Sequence, residues 1–249
     1  MRAKKQLGQN FLHDEAVIHS IVRIIHPQPE QTMIEIGPGH GAITQYLYTQ
    51  VGKLHLIELD QDLLPELQHK FGNHSNTEIH HLDALKLQLD KPVDQIVGNL
   101  PYNISTPLLI HFLYQAHNIP RMVFMLQKEV VDRICAQPNN KTYGRLSVML
   151  QHRYHCEARL TIPPDAFDPA PKVDSQIISL ERKADSVDVD LQKLEKLVKQ
   201  AFSQRRKTIK NNLKQMISES ILVENGIDPR SRPENLSVTD YQKLSHHVD

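Results

Sequence analysis

The chain has 249 residues, enough for one large hydrophobic core or for a large domain followed by a small one. Hydrophobic residues make up 39% and charged residues 23%, which is typical of soluble globular proteins and excludes disordered and fibrous classes. The two cysteines, Cys135 and Cys156, lack the spacing of a disulfide framework or a zinc site, and no uncharged apolar stretch is long enough to span a membrane. We therefore expect a cytoplasmic protein with reduced thiols, no bound metal and no membrane partner.

The net charge is zero, from 29 basic and 29 acidic residues, but the charges are unevenly distributed. Residues 193–216 hold a single acid, Glu195, among many basic residues. Those basic residues are Lys193, Lys196, Lys199, Arg205, Arg206, Lys207, Lys210 and Lys214. The arm of residues 1–12 adds Arg2, Lys4 and Lys5. A charge run is usually a solvated helix face, although clustering near Arg205 also favours contact with phosphates.

Hydrophobic periodicity and helix end signals divide the chain into alternating strands and helices. The predicted strands cover residues 32–36, 53–58, 78–81, 92–97, 122–126 and 176–180. The predicted helices cover residues 14–26, 42–47, 61–71, 106–117, 129–136, 144–154, 191–202, 205–217 and 238–244. Alternation through residue 126 predicts an α/β fold with a doubly wound parallel sheet covered on both faces. Charges over residues 181–190 predict a boundary between a domain of residues 1–183 and a small helical domain of residues 184–249.

A glycine-rich loop over residues 37–41 joins the first predicted strand to a helix. With Glu35 before it, the loop fits the E-x-G-x-G-x-G pattern of nucleoside-dependent methyltransferases. With Ala42 after it, the loop also fits the dinucleotide fingerprint G-x-G-x-x-G/A, and a tight turn with positive φ is the purely structural alternative. Glu58 ends the second strand 21 positions after Gly37, where an acid accepts hydrogen bonds from ribose hydroxyls.

The stretch Asn99-Leu100-Pro101-Tyr102 ends the fourth predicted strand, where open α/β sheets bind ligands. Pro101 favours an extended backbone at Leu100, so that the Asn99 amide and nearby carbonyls point outward as acceptors. Tyr102 supplies a flat ring beside them. Acceptors next to an aromatic ring suit a planar base with an exocyclic amine, such as an adenine taken out of a nucleic-acid stack. An ordinary turn is the alternative, but hydride transfer by a dinucleotide enzyme has no use for this arrangement.

Two further features bear on sites. The proline-rich segment of residues 162–175 is stiff, which holds Phe167 in one position. The pairs His80-His81 and His246-His247 lack ligand spacing and a third partner, so we interpret them as surface or packing residues.

These motifs together resemble the bacterial small-subunit (16S) ribosomal RNA adenine N6,N6-dimethyltransferase family, often called KsgA or RsmA, over nearly the whole chain. The matching segments are Gln9-Asn10-Phe11-Leu12, residues 35–41, Asn99-Leu100-Pro101-Tyr102, residues 143–148, residues 167–175 and residues 202–208. Their order is specific as a set. The departures are His40, where leucine is frequent, and Leu82, where a small or polar residue is common; both concern the fit of the cofactor.

The resemblance implies a Rossmann-like class I methyltransferase that binds S-adenosylmethionine and acts as a monomer on 16S ribosomal RNA in the small ribosomal subunit. The implied cofactor contacts are Asn10, Leu12, Gly37, Glu58, Asp83 and Asn99. The implied catalytic residues, which hold and stack the target adenine, are Asn99, Leu100, Pro101, Tyr102 and Phe167. The RNA-binding residues that we predict are Arg205, Arg206, Lys207 and Lys210. The expected product is dimethylation of two adjacent adenosines in the 3′-terminal hairpin, late in subunit assembly.

Two alternatives stay open. A related methyltransferase acts on large-subunit ribosomal RNA and confers antibiotic resistance; it shares the arm and glycine loop, but residues 202–208 favour the small-subunit enzyme. A non-catalytic RNA-binding assembly or transcription factor of the same fold is the second alternative, and the intact Asn99-Leu100-Pro101-Tyr102 argues against it.

Overall fold

A computed structural model of the protein describes residues 9–185 and 187–248. Arg2, Lys4 and Lys5 of the predicted arm lie outside the described residues. The strands are β1 (Phe11–Leu12), β2 (Thr32–Ile36), β3 (Lys53–Glu58), β4 (Thr77–His81), β5 (Gln95–Asn99), β6 (Arg121–Gln127), β7 (Tyr154–Ile162), β8 (Phe167–Asp168) and β9 (Ser175–Arg182). The helices are α1 (Glu15–Ile25), α2 (Thr44–Leu47), α3 (Leu64–Phe71), α4 (Ser105–Tyr114), α5 (Lys128–Cys135), α6 (Arg145–Arg153), α7 (Leu191–Ala201), α8 (Ile209–Leu213), α9 (Glu219–Glu224) and α10 (Val238–Ser245).

Seven strands form the main sheet in the order β4-β3-β2-β5-β6-β9-β7, and β1 pairs with β8 in a separate two-stranded sheet. The five strands β4, β3, β2, β5 and β6 are parallel, as the alternating pattern predicts. The chain first builds outward from β2 to β4 and then returns to place β5 on the other side of β2. This reversal is a topological switch point, and it opens a crevice at the carboxyl ends of β2 and β5.

Local signals explain where the first elements begin and end. Asp14 caps α1 by accepting a hydrogen bond from the backbone N–H of Val17 at 3.0 Å, and His26 ends the helix in the left-handed conformation just before Pro27. The apolar face of α1 is buried in the hydrophobic core of the sheet. The β2 strand is buried at four of its five positions, which suits a central strand covered on both faces.

Several predicted elements differ in the structure. The sheet is mixed, because β9 pairs antiparallel to β6 and is followed at the edge by β7, a strand that we did not predict. The β7 strand is mostly solvent-exposed and lacks the apolar run of a buried strand. The single helix predicted over residues 205–217 is wrong: Thr208 accepts a hydrogen bond from the N–H of Asn211 and starts the short α8 there.

The contacts divide the chain into two compact units. The first unit contains residues 1–131 and 157–182, and the second contains residues 132–156 and 183–249. The second unit is mainly helical, and α6, α7 and α10 pack against one another in it. The domain boundary after residue 183 stays a prediction; by contacts, residues 132–156 join the second unit. No described helix has the length and apolar character needed to cross a membrane.

Candidate active site

A cavity of about 240 Å³ lies in the first unit, at the carboxyl ends of β2, β3 and β5. It brings together nine of the ten residues predicted for the cofactor and the target base. These nine are Asn10, Leu12, Gly37, Glu58, Asp83, Asn99, Leu100, Pro101 and Tyr102. Three carboxylates line the cavity, those of Glu35, Glu58 and Asp83, and no lysine or arginine of residues 9–185 or 187–248 is among its lining residues. The cavity therefore suits a neutral or cationic ligand better than a phosphate.

The glycine loop forms one wall of the cavity. Gly37 and Gly39 have φ angles of +64° and +60°, a region that residues with a Cβ rarely adopt, so the turn requires glycine at both positions. The N–H of Gly37 donates to the carbonyl of Ile57 at 2.9 Å, and the N–H of Gly39 donates to Oε2 of Glu58 at 3.3 Å. These two hydrogen bonds join the loop after β2 to the end of β3.

Glu58 is held in place by backbone amides. Its Oε1 accepts a hydrogen bond from the N–H of Asp60 at 2.8 Å, while Oε2 accepts from Gly39. Burial raises the pKa of Glu58, and the amide hydrogen bonds oppose this shift. The backbone amide of Leu59 also favours the charged form, so three amides act on this carboxylate. Because a carboxylate has about four acceptor sites, Glu58 can still accept a hydrogen bond from a ligand.

Glu35 has the most unusual electrostatic environment among the acids that line the cavity. Its side chain is 2% exposed, and burial raises its pKa to about 7. The Thr44 hydroxyl donates to Oε2 of Glu35 at 2.7 Å and opposes that shift, whereas the nearby Glu58 charge adds to it. Glu35 thus changes its charge near neutral pH.

Asn99 presents its amide oxygen as a free acceptor. Its Nδ2 donates to the backbone carbonyl of Asn10 at 3.1 Å, which fixes the orientation of the amide. Among residues 9–185 and 187–248, no group donates to Oδ1 of Asn99 or to the carbonyl oxygen of Leu100. The N–H of Leu100 bonds to the carbonyl of Met125 at 3.1 Å, and this anchors the turn to β6.

Tyr102 is half-buried, and its hydroxyl shares a 2.7 Å hydrogen bond with Oγ of Ser175 at the start of β9. Burial raises the pKa of Tyr102, so its hydroxyl stays protonated. We did not predict this role of Ser175. The hydrogen bond orients the ring from its far end, while the rest of Tyr102 lines the cavity.

Phe167 is the predicted base-contacting residue that the structure does not bring into the cavity. Its side chain is 3% exposed and belongs to the hydrophobic core. Phe167 pairs with Leu12 between β8 and β1, and Leu12 in turn lines the cavity. The predicted contact of Phe167 with a bound base stays a prediction, because the ring is packed in the core here. In this conformation Phe167 supports the arm.

The arm reaches the cavity through contacts that sequence alone did not reveal. Nε2 of Gln9 donates to Oδ2 of the buried Asp60 at 2.8 Å. The ring of Phe11 lies 4.3 Å from that of His40, centroid to centroid. Asp83 accepts a hydrogen bond from the N–H of Leu85 at 3.0 Å and caps the 3-10 helix Ala84–Lys86. The matching segment Gln9-Asn10-Phe11-Leu12 was the only sequence signal for the arm.

In the second unit, the four predicted RNA-binding residues are all exposed, but they have different environments. Arg205 donates to the carbonyls of Lys141 and Tyr143 at 2.9 and 3.0 Å, and Lys210 forms an ion pair with Glu219. Arg206 and Lys207 have no ion pair within the part of the chain that the structure describes. These two residues are therefore the most available for contact with phosphates.

The histidine pairs also differ from one another. His81 bonds to the carbonyl of Leu59 at 3.2 Å, and Nε2 of His247 lies 3.4 Å from the Asn225 amide. These contacts fit the expected surface or packing role. We expected His80 to lack a third ligand partner, but two lie near its Nε2: Nδ1 of His55 at 3.1 Å and Oε2 of Glu78 at 3.7 Å.

The whole chain, residues 1–249, matches the family described as Ribosomal RNA adenine dimethylase. The chain belongs to this family. The resemblance inferred from the motifs is confirmed.

Relatives of this adenine dimethylase support the same assignment. The Ribosomal RNA small subunit methyltransferase A of Herminiimonas arsenicoxydans is 47% identical over 251 residues, which cover 98% of both chains. The protein of the same name from Pseudomonas aeruginosa is 46% identical over 254 residues, covering 99% of this chain and 95% of that one.

Solved structures show the same fold. A dimethyladenosine transferase from Plasmodium falciparum has a TM-score of 0.84 and 24% identity, covering 94% of this adenine dimethylase and 95% of that chain. The 23S rRNA methyltransferase ErmE has a TM-score of 0.75 and 25% identity, covering 96% of this chain and all of that chain. The predicted fold class, a Rossmann-like methyltransferase sheet with a helical C-terminal region, is confirmed.

Proposed function

We propose that this adenine dimethylase transfers methyl groups from S-adenosylmethionine to the N6 amines of two adjacent adenosines in the 3′-terminal hairpin of 16S ribosomal RNA. The proposal places the reaction in small-subunit biogenesis, in agreement with the name shared by its relatives. One observation supports this proposal most directly: the free amide oxygen of Asn99 and the free carbonyl oxygen of Leu100 belong to residues that line one cavity together with Tyr102.

The cavity fits S-adenosylmethionine by charge. Among the described residues, its lining has three carboxylates and no lysine or arginine, which suits S-adenosylmethionine, a ligand of net positive charge. A dinucleotide would instead bring a pyrophosphate against those carboxylates. Bound there, the cofactor supplies an electrophilic methyl group. The proposed contacts are Asn10, Leu12, Gly37, Glu58, Asp83 and Asn99. Glu58 has a remaining acceptor site for a ribose hydroxyl, as its place at the end of β3 predicts.

The adenine amine is a poor nucleophile because its lone pair is delocalised into the ring. Asn99 Oδ1 and the Leu100 carbonyl accept hydrogen bonds from the amine hydrogens, which favours a pyramidal nitrogen with an available lone pair. The Asn10 carbonyl keeps the Asn99 amide in the orientation that this requires. Most of the acceleration then comes from in-line placement of the amine, an effect of roughly 7 to 11 kcal/mol at best. Transfer of the methyl group would break its bond to sulfur and leave S-adenosylhomocysteine, and the surplus proton of the amine would pass to water, so no dedicated general base is needed.

Stacking offsets the cost of taking the adenine out of the RNA stack. The Tyr102 ring, fixed by Ser175, is positioned to contribute, and an aromatic contact with a base contributes about 1 to 3 kcal/mol. For Phe167 to stack as well, its ring must leave the packing beside Leu12. We keep Tyr102 as the principal stacking residue of the proposal and Phe167 as a second one that requires movement of β8.

The second unit supplies the proposed RNA contacts. A protein with zero net charge has no global field that attracts RNA, so attraction must come from local patches. Arg206 and Lys207 are exposed without an ion pair among the described residues, and Arg205 and Lys210 lie near them in sequence. We propose that these four residues contact phosphates of the small subunit, and that the enzyme acts as a cytoplasmic monomer.

A second candidate is methylation of large-subunit RNA, which the structural similarity to the 23S rRNA methyltransferase ErmE favours. One experiment separates the two functions. Small and large subunits that lack native methylation are incubated separately with the enzyme and labelled S-adenosylmethionine, and the labelled adenosines are mapped. We expect label in the small subunit only, at two adjacent adenosines of the 3′-terminal hairpin.

The control for that experiment is a matched pair of asparagine variants. Asn99→Ala removes the proposed acceptor, whereas Asn73→Ala makes the same change at an exposed residue outside the cavity. Label in the large subunit would replace the proposal with the second candidate. Absence of label in both subunits, with intact cofactor binding, would favour the non-catalytic alternative.

A further inference from the structure

The edge of the main sheet carries a group of metal-ligating side chains that the proposed methyl transfer does not use. His55 lies on β3, and Glu78 and His80 lie on β4, the edge strand. In the parallel register His55 is opposite Glu78, and Ile57 is opposite His80. Because side chains alternate along a strand, Glu78 and His80 point to the same face as His55.

The three candidate ligand atoms form a compact triangle. Nδ1 of His55 lies 3.1 Å from Nε2 of His80 and 3.3 Å from Oε2 of Glu78. Nε2 of His80 lies 3.7 Å from the same Glu78 oxygen. In a tetrahedral site with bonds of about 2.0 to 2.2 Å, ligand atoms are separated by about 3.3 to 3.5 Å. The triangle thus has the size of one face of such a tetrahedron.

We propose that His55, Glu78 and His80 bind a divalent transition-metal ion of the zinc class. Two imidazole nitrogens and one carboxylate oxygen form a ligand set that suits Zn²⁺, Co²⁺ or Ni²⁺, whereas Mg²⁺ and Ca²⁺ prefer oxygen ligands throughout. The three side chains are 21%, 48% and 40% exposed, so an ion reaches them from solvent and a water completes the coordination. The site has the open fourth position that distinguishes it from a closed structural zinc site.

Lys53 orients the carboxylate of this site. Its Nζ lies 2.8 Å from Oε1 of Glu78, which leaves Oε2 turned toward the two histidines. Partners outside the coordination shell commonly fix ligand orientation in this way. Lys53 is therefore a positioning residue in the proposed site, and it is not a ligand.

The test uses the untagged full-length protein, freed of metal by a chelator and titrated with Zn²⁺ in competition with a chromophoric chelator. We expect one high-affinity ion per chain. His55→Ala and His80→Ala should each lower the Zn²⁺ affinity by at least 10- to 100-fold, the range found for loss of an outer partner alone. Glu78→Gln keeps the shape of the side chain and should also lower the affinity.

The chain contains 15 histidines, so the control must separate this site from general surface binding. His81→Ala changes the next residue of β4, which points to the opposite face, and should bind Zn²⁺ like the wild type. A second readout is thermal: Zn²⁺ should raise the Tm of the wild type and of His81→Ala, but not of His55→Ala or His80→Ala. Circular dichroism confirms that each variant is folded. Equal affinity in all the proteins, or an equal loss in His81→Ala, would overturn the proposal.

Discussion

The cavity of the first unit and the basic segment of the second unit, residues 193–216, differ in both charge and burial. The cavity is lined by carboxylates and by no lysine or arginine of the part of the chain that the structure describes, and its Glu35 and Glu58 are almost fully buried. Residues 205–207 of the basic segment are exposed. A net charge of zero therefore includes two regions of opposite charge, which suit the two proposed partners, a cationic cofactor and an anionic RNA.

Whether a charge is buried determines whether its removal affects mainly folding stability or mainly RNA binding. Removing a buried charge changes folding stability and the geometry of the cavity, because the charge has lost its hydration. An exposed charge is screened by salt and has little effect on stability, but it changes RNA binding through counterion release. We therefore expect variants of the cavity to change stability, catalysis or cofactor binding, and variants of the basic segment to change RNA binding and its salt dependence.

The largest effect should come from Asn99→Ala, which removes the free acceptor of the cavity. We expect methyl transfer to fall by about 100- to 1,000-fold or more, as for the loss of one preorganised hydrogen-bonding group in other enzymes. Rates under single-turnover conditions measure this, with circular dichroism and RNA binding expected to stay unchanged. Near-normal turnover would show that Asn99 does not activate the base.

Glu35→Gln tests whether burial of a carboxyl group in the cavity makes folding stability depend on pH. Glu35 has a pKa of about 7 when folded, against 4.5 as the ordinary value, so folding favours its protonated form. Its stabilising contribution is complete below pH 4.5 and is lost as the pH rises through about 7. The variant, which mimics the protonated side chain, should equal the wild type near pH 4 and exceed it by about 3 kcal/mol at pH 8.

Urea unfolding of both proteins across this pH range measures the difference. The exposed Glu224→Gln in the second unit is the matched control and should follow the wild type at every pH. If the stability curves of wild type and Glu35→Gln ran parallel, the pKa of Glu35 would be the same in the folded and unfolded protein, contrary to the effect of burial.

Glu58→Ala should weaken S-adenosylmethionine binding by roughly 10- to 100-fold, because hydrogen bonds to a charged group contribute about 1.5 to 3 kcal/mol. RNA affinity should not change, which would separate the cavity from the basic segment. Calorimetry with the cofactor measures the effect. Glu58→Gln retains acceptor capacity toward Gly39 and should lose less. Unchanged cofactor affinity in Glu58→Ala would remove Glu58 from the site.

The smallest effect should come from charge reversal in the basic segment. Arg206→Glu with Lys207→Glu should weaken binding to the small subunit several-fold and reduce the slope of log affinity against log salt by about 1 to 2. Both residues lie in the turn before α8 and outside every described helix, so the substitutions change charge without altering a helix. Lys243→Glu, at an exposed lysine of the same unit, is the control. Equal slopes in all three proteins would identify the basic run as a solvated face only.

The sequence determined the elements that rest on contiguous residues. The glycine loop, the acid at the end of β3 and Asn99-Leu100-Pro101-Tyr102 each follow a strand directly, and parallel strands bring their carboxyl ends together. For that reason the chain order was sufficient to predict the parallel sheet, the family and most cavity residues. The prediction failed at β7, whose exposed pattern lacks a period, and at the helix over residues 205–217, which Thr208 interrupts.

Only the tertiary structure decided features that depend on distant residues meeting. Phe167 faces the core beside Leu12, Ser175 orients Tyr102, and burial shifts the pKa of Glu35. His55, which completes the group with Glu78 and His80, lies on β3, 25 positions before His80, so no local spacing revealed it. Backbone geometry is encoded locally by turn and cap residues, whereas burial, charge environment and cross-strand contacts arise only when the strands pair.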